Sequence, residues 1–259
     1  LDTKIQMKQE LYFTIPVLNA AGTLGFAPES KGFLNLASLG GFVTNPISWL
    51  PRTPAHGERF IPYLGGFLMH TGLPNPGFKT CLRRYAKRWS RSTLPVYVHL
   101  LAQDVTRLVE MVERLEGLEG VAGVEIGLPP EIDPDSAYAM SEAAVGELPV
   151  IVRLPFERSA ELAPVVMDAG VSAVSLGLPR GILMKEDGSQ ISGRLCGPAT
   201  FPLALEALAR IAALGVPVIG AGGVYQRRDI DAMLGAGAIA VQLDSVLWRG
   251  KMPVVADIE

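Results

Sequence analysis

Eight short apolar runs, separated by stretches of helical periodicity, constrain this chain's fold more than any other feature. They read IPVLNA (15–20), GFVT (41–44), VYVHL (96–100), GVEI (123–126), PVIVRL (149–154), AVSL (173–176), PVIG (217–220) and IAVQL (239–243). Near-continuous apolar character marks strands buried on both faces, as in a parallel sheet covered by helices. Between the runs, DVTRLVEMVERLEG sets Val105, Leu108, Val109, Val112 and Leu115 on one helical face. TFPLALEALARIAALG and RRDIDAMLGAG end on glycines suited to helix C-caps. Eight strands close a (β/α)8 barrel, and no GxGxxG follows the first run to favour a doubly wound sheet. The expectation is a single α/β TIM-barrel domain over residues 1–259.

With 259 residues, 49% of them hydrophobic, and a net charge of −3, the chain can bury one large core and offers no general attraction to nucleic acid or anionic membranes. Cys81 and Cys196 stand far apart, and His56, His70 and His99 form no metal-type spacing, so no metal site is expected. LDTKIQMKQE lacks the apolar core of a signal peptide, and the longest apolar stretch is broken by Pro217 and glycines. These features predict a soluble, cytoplasmic protein.

Two irregularities interrupt the alternation. A Pro- and Gly-rich segment at 45–77, after the second strand, is too long for an ordinary connection and reads as an extended functional loop. After the eighth strand only DSVLWRGKMPVVADIE remains, with Pro253 interrupting any helix begun at Leu247. The truncated final helix is expected to leave an apolar stripe on the eighth strand for a second copy or another chain to cover, giving a homodimer or hetero-oligomer.

Among single residues, Arg153 is a charge inside a buried strand and requires a partner, for which Glu125 and Asp244 are the candidates. His99, a lone histidine inside an apolar strand, reads more commonly as a core histidine with a satisfied hydrogen bond than as a cofactor contact. Cys196 has no histidine near it in sequence and reads as a small buried thiol rather than a nucleophile. His70 is the best proton carrier near the barrel mouth, although a solvated loop histidine is the commoner case. The basic run from Lys79 to Ser92 places Leu82, Tyr85 and Trp89 on one face and reads as a solvated helix packed on the core, not as an RNA contact.

NAAGTLGF, TGLPNPG, GRLCGPAT, VPVIGAGG and GAGAIAVQ occur in this order, each at a strand end, and with them the chain resembles the dihydroorotate dehydrogenase family from about Ile15 to Ser245. The resemblance implies a barrel that binds FMN at the C-terminal strand ends, with substrate stacked on the flavin, and a place in pyrimidine biosynthesis. Carried over by position, Ala20, Ala21 and Gly22 lie along the flavin, and His99 and Arg153 meet it. Gly193 and Gly197 belong to a loop whose family form reads GLSGP. Gly222, Gly223 and Ser245 match the phosphate clamp, and Asn45, His70 and Asn75 match the substrate side.

The same comparison shows what is missing. The family's proton-abstracting Cys or Ser falls on Pro130, so no catalytic residue is assigned. Its substrate amides fall on Met69, Leu178 and Pro179, and its clamp Gly-Thr pair on Asp244-Ser245. A carboxylate facing a phosphate repels it, so FMN binding is expected to be weak or absent unless Asp244 turns away. Two functions remain open: an FMN-dependent oxidoreductase acting on CH–CH groups of another, unknown small molecule, and a non-catalytic member serving as a structural or regulatory subunit.

Overall fold

Alternate residues along each apolar run meet different surroundings, and that division builds the domain. The computed structural model describes residues 11–29, 34–101, 103–185, 187–250 and 252–253. The chain passes through β1 (Val17–Asn19) and β2 (Phe42–Val43), then a hairpin of β3 (Phe60–Tyr63) and β4 (Gly66–Met69), then helix α1 (Phe78–Trp89). Regular alternation follows: β5 (Val96–Leu101), α2 (Val105–Glu116), β6 (Val121–Gly127), α3 (Pro134–Ala144), β7 (Val150–Leu154), α4 (Ser159–Asp168) and β8 (Ala173–Leu176). A second hairpin, β9 (Arg180–Met184) and β10 (Gln190–Cys196), precedes α5 (Phe201–Ala212), β11 (Val218–Ala221), α6 (Arg227–Gly235) and β12 (Ala238–Leu243).

The parallel sheet runs in the order β1-β12-β11-β8-β7-β6-β5-β2, and a bridge between Leu18 and Gly41 joins its two ends. Each of the eight apolar runs supplies one of these strands, so the expected TIM barrel is the fold. Val98, Val124, Val152, Val174 and Val241 belong to the outer core beneath the helices. Leu18, Val43, Tyr97, Ile151, Ile219 and Ala240 form a separate apolar layer inside the barrel.

Closure at β1 depends on a side chain. Asn19 Nδ2 donates to Val43 O at 2.7 Å, and Val43 N donates to Asn19 Oδ1 at 2.9 Å, so one buried amide replaces the backbone ladder between β1 and β2. Asn19→Ala leaves a buried N–H and a buried C=O unpaired and is expected to cost about 2–3 kcal/mol, read from the shift in urea midpoint. An unchanged midpoint would show that the two strands re-pair without it.

Three expectations need correction. The 45–77 segment is not simply loop: β3 and β4 within it join β10 and β9 in an antiparallel sheet, order β3-β4-β10-β9. β3 and β9 alternate between exposed and half-buried positions, so neither produces the apolar run that flagged the barrel strands. Val105 is 41% exposed at the first position of α2, where Met111 takes the buried place instead. The apolar stripe expected on the eighth strand is absent, because only Ile239 of β12 is exposed.

The segment after β12 forms a short 3-10 helix, Ser245–Arg249, that buries Val246 and Leu247 and ends at Gly250 in the left-handed conformation. Trp248 Nε1 ties it to Thr23 O at 3.0 Å. The final VVADIE lies outside the described residues. The basic run behaves as expected, since α1 buries Cys81 and Trp89, and Trp89 Nε1 donates to Phe26 O. Among the described residues no helix is long and apolar enough to cross a membrane.

Candidate functional site

Two positions beyond the inner apolar layer, β5, β7 and β12 carry the polar residues His99, Arg153 and Gln242. Glu125 of β6 is fully buried at their centre. Its Oε2 lies 2.6 Å from His99 Nδ1, while Oε1 accepts from Ser175 Oγ and Gln242 Nε2, each at 2.7 Å. Gln242 Oε1 in turn accepts from Arg153 Nη1 at 3.2 Å. Five barrel strands thereby share one network. Arg153 therefore has Gln242 as its hydrogen-bond partner and makes no direct contact with either expected carboxylate, although its charge holds down both Glu125 and Asp244. Burial pushes the Glu125 carboxyl up, but the hydrogen bond and charge of His99, the charge of Arg153 and the Ser175 hydroxyl outweigh it and hold the group well below the usual carboxylate range.

Over this network opens a cavity of about 320 Å³, at the small end of ordinary ligand pockets. Its floor carries Ala21, His99, Gly127 and Arg153, and the antiparallel sheet roofs it with Met69, His70, Gly193 and Arg194. Leu128 and Pro130 of the loop after β6 complete one wall, and both prolines of that loop are exposed. Pro130, at the family's base position, has no side-chain group that can accept a proton. Met69, Leu178 and Cys196 pack together as a small apolar cluster where the resemblance places substrate amides. Burial raises the Cys196 thiol to about 12, with the Asp244 charge adding to it, which removes it as a nucleophile at neutral pH.

A second recess, lined by Ala20, Ala21, Gly22, Arg153, Asp244 and Ser245 among others, holds only about 20 Å³, room for roughly one water. Asp244 does not turn away from the clamp. Its Oδ1 accepts from Ser245 N at 2.5 Å and Ser245 Oγ at 2.9 Å. Its Oδ2 is buried without a partner, and burial raises the carboxyl despite these bonds. The chain's own carboxylate thus takes the donors that a phosphate would need.

The structure brings Ala20, Ala21, Gly22, Arg153 and Ser245 together around the small recess, and His70, His99 and Gly193 around the larger cavity. Gly222 and Gly223 take positive φ, at 107° and 70°, and a Cβ on Gly223 would lie 2.4 Å from Phe201 N. Three expected residues lie elsewhere. Asn45 Oδ1 accepts from Gly25 N at 3.1 Å, bracing the first-strand loop. Asn75 is consumed by Ser48, Leu73 and Gly77 as the staple of its own turn. Gly197 closes the end of β10, with its Cα facing Gly66.

Sequence reasoning passed over Ser175, Gln242 and Arg194. The first two look like ordinary residues of apolar runs. Arg194 carried a signal, since it occupies the first glycine of GLSGP. Burial and the nearby Arg153 push its guanidinium down to about 10, still charged at neutral pH.

The chain matches the family model for dihydroorotate dehydrogenase over residues 3–259. It is 31% identical over 251 residues to a dihydroorotate dehydrogenase B (NAD(+)) catalytic subunit of Geobacter sulfurreducens, covering 88% of this chain and 82% of that one. To the protein of the same name from Desulforudis audaxviator it is 31% identical over 270 residues, covering 94% and 87%. Its fold overlays a dihydroorotate dehydrogenase of Eimeria tenella, solved with ferulenol, at a TM-score of 0.75 with 16% identity, covering 92% and 78%. A barrel with this strand order, the family's Gly-rich loops in register and a match along nearly its whole length make this chain a member of the dihydroorotate dehydrogenase family.

Proposed function

We propose that this member does not oxidise dihydroorotate, takes FMN weakly or not at all, and works as a small-molecule-binding barrel rather than as the family's dehydrogenase. The observation that carries the reading is the loop after β6, where Gly127, Leu128 and Pro130 border the cavity without a group able to accept a carbon-bound proton. A positioned base supplies typically 10²–10⁴-fold, and its loss together with the apolar Met69–Leu178–Cys196 patch leaves neither proton removal nor amide recognition of the substrate ring.

Dihydroorotate turnover by the purified chain, supplied with excess FMN and a dye acceptor, is expected to stay at background. Any turnover that scales with enzyme concentration would remove the proposal.

A second reading, an FMN oxidoreductase with a less polar substrate, is favoured by Ala20, Ala21, Gly22 and Arg153 sharing one recess. A yellow protein as purified would support it. The relatives are named catalytic subunits, so an accompanying chain is part of either reading. The uncovered stripe no longer argues for a partner, and light scattering of the intact chain decides the matter.

A further inference from the structure

One ring nitrogen of the central network is left unused. His99 Nδ1 meets Glu125 Oε2 at 2.6 Å, while Nε2 of the same ring has no hydrogen bond among the described residues. Among those residues Asp244 Oδ2 is the one side-chain nitrogen or oxygen sealed in protein without a partner, so Nε2 is not sealed. His99 lines the mouth cavity, and Nε2 is the part of the ring that reaches it. Glycine at 127 keeps that edge clear, because a Cβ there would stand 2.7 Å from Nε2. The ring is thus anchored at one nitrogen by a buried carboxylate and open at the other to a space of small-molecule size.

A carboxylate on Nδ1 fixes the Nδ1–H tautomer, leaves the Nε2 lone pair free and stabilises the imidazolium that forms when Nε2 takes a proton. Glu125 stays ionised far into the acid range, since its carboxyl is held down at about 2. No hydroxyl or thiol of the described residues is bonded to Nε2, so the proton it takes comes from water or from a ligand. The other charged or titratable groups facing this space are Arg52, His70, Arg153, Arg180 and Arg194, with Glu157 as the one carboxylate on the wall. Cations so placed favour negative charge developing on a carbonyl oxygen. A water-activating base beside them is what acyl hydrolysis requires, and the Met69–Leu178–Cys196 patch offers apolar surface for an alkyl group. We propose that His99 and Glu125 form a general-base dyad with which the mouth cavity hydrolyses small neutral carboxylic esters. Water oxygen bonds to the acyl carbon as Nε2 takes its proton; the ester C–O bond then breaks, and Nε2 passes that proton to the leaving oxygen. A carboxylic acid and an alcohol result, and no electron changes hands. His99 touches the reacting atoms, and Glu125 is a positioning residue. The proposal deepens the functional reading above and rests on it, because a flavin meeting His99 would cover Nε2.

The test is hydrolysis of p-nitrophenyl acetate by the full chain, repeated on His99→Gln, Gly127→Ala, Glu125→Gln and His56→Gln. Glutamine at 99 keeps a donor for Glu125 and removes the base, and alanine at 127 sets a methyl group over Nε2. His56 is exposed and outside the cavity, so it controls for imidazole chemistry at the surface. The rate is expected to saturate with ester, to slow in D2O, to fall about 100-fold in His99→Gln and Gly127→Ala, and to stay unchanged in His56→Gln. In Glu125→Gln, assayed where it remains folded, the acid limb of the pH–rate profile should move, which loss of stability alone would not produce. An unsaturable rate, an equal rate in folded His99→Gln, or acetyl-His99 accumulating as the turnover intermediate overturns the proposal. Dihydroorotate turnover alongside His99-dependent ester hydrolysis overturns the functional reading and leaves the dyad. A chain inert toward both compounds does the reverse.

Discussion

Glu125→Gln is expected to lower the stability of the chain by about 3–5 kcal/mol, the cost of removing one member of a buried charged network while its partners stay buried. Glu125 accepts bonds from Ser175 and Gln242 and faces His99 Nδ1 at 2.6 Å, and no other carboxylate enters the network. Glutamine keeps the volume and one acceptor, but it turns an N–H₂ toward groups that need an acceptor and withdraws the charge opposite Arg153. The loss should appear as a lower urea midpoint with an unchanged slope.

The pH dependence has a definite sign. The Glu125 carboxyl is lowered in the folded chain, so its contribution is fully present above the ordinary glutamate range near 4.5 and disappears as pH falls through the folded value of about 2. The native chain should lose stability between about pH 5 and pH 2 by an amount that Glu125→Gln does not lose. Equal acid sensitivity in the two proteins would mean that the network is not held by this charge.

Asp244→Gly should raise FMN affinity by about 100-fold. Two donors converge on the Asp244 carboxylate, Ser245 N and Ser245 Oγ, and a phosphate can have them only if that carboxylate leaves. Juxtaposing like charges costs several kcal/mol, and about 3 kcal/mol corresponds to that factor. Glycine also enlarges a recess of about 20 Å³ that holds little more than a water. Asp244→Asn removes the charge but not the bulk and should fall between the two.

Stability gives a second readout of the same residue. The Asp244 carboxyl is raised by burial, so the ionised group destabilises the fold above its raised value, and this cost declines as pH falls through it. Asp244→Asn should therefore gain stability at neutral pH relative to acid pH, widening the loss that acidification produces. Tight, stoichiometric FMN in the unmodified chain, or no gain in Asp244→Gly, would show that the clamp opens without help.

Much of this protein was legible as a string of residues. Strands buried on both faces must be apolar throughout, so the eight runs mark themselves, and the glycine that each tight approach demands kept the family's loops recognisable. Pro130 needed no coordinates either, because proline has no proton to exchange and no acceptor on its side chain. The β3–β4 and β9–β10 hairpins were not legible, since strands such as β3 and β9 alternate between solvent and half-buried positions and resemble loop sequence. Nor could local sequence say which polar residue would meet which. Asn75 and Asn45 looked like ligand contacts; Asn75 is instead consumed by its own turn, and Asn45 braces the first-strand loop through Gly25. Gln242 and Ser175 looked like filler and hold the central carboxylate together with His99. Residues 99, 125, 153, 175 and 242 become neighbours only when the sheet closes on itself, because closure sets strands far apart in sequence at one height in the barrel. Residue chemistry determined which strands would form and that proline stands at the family's base position, and the barrel's register alone decided which charges would meet.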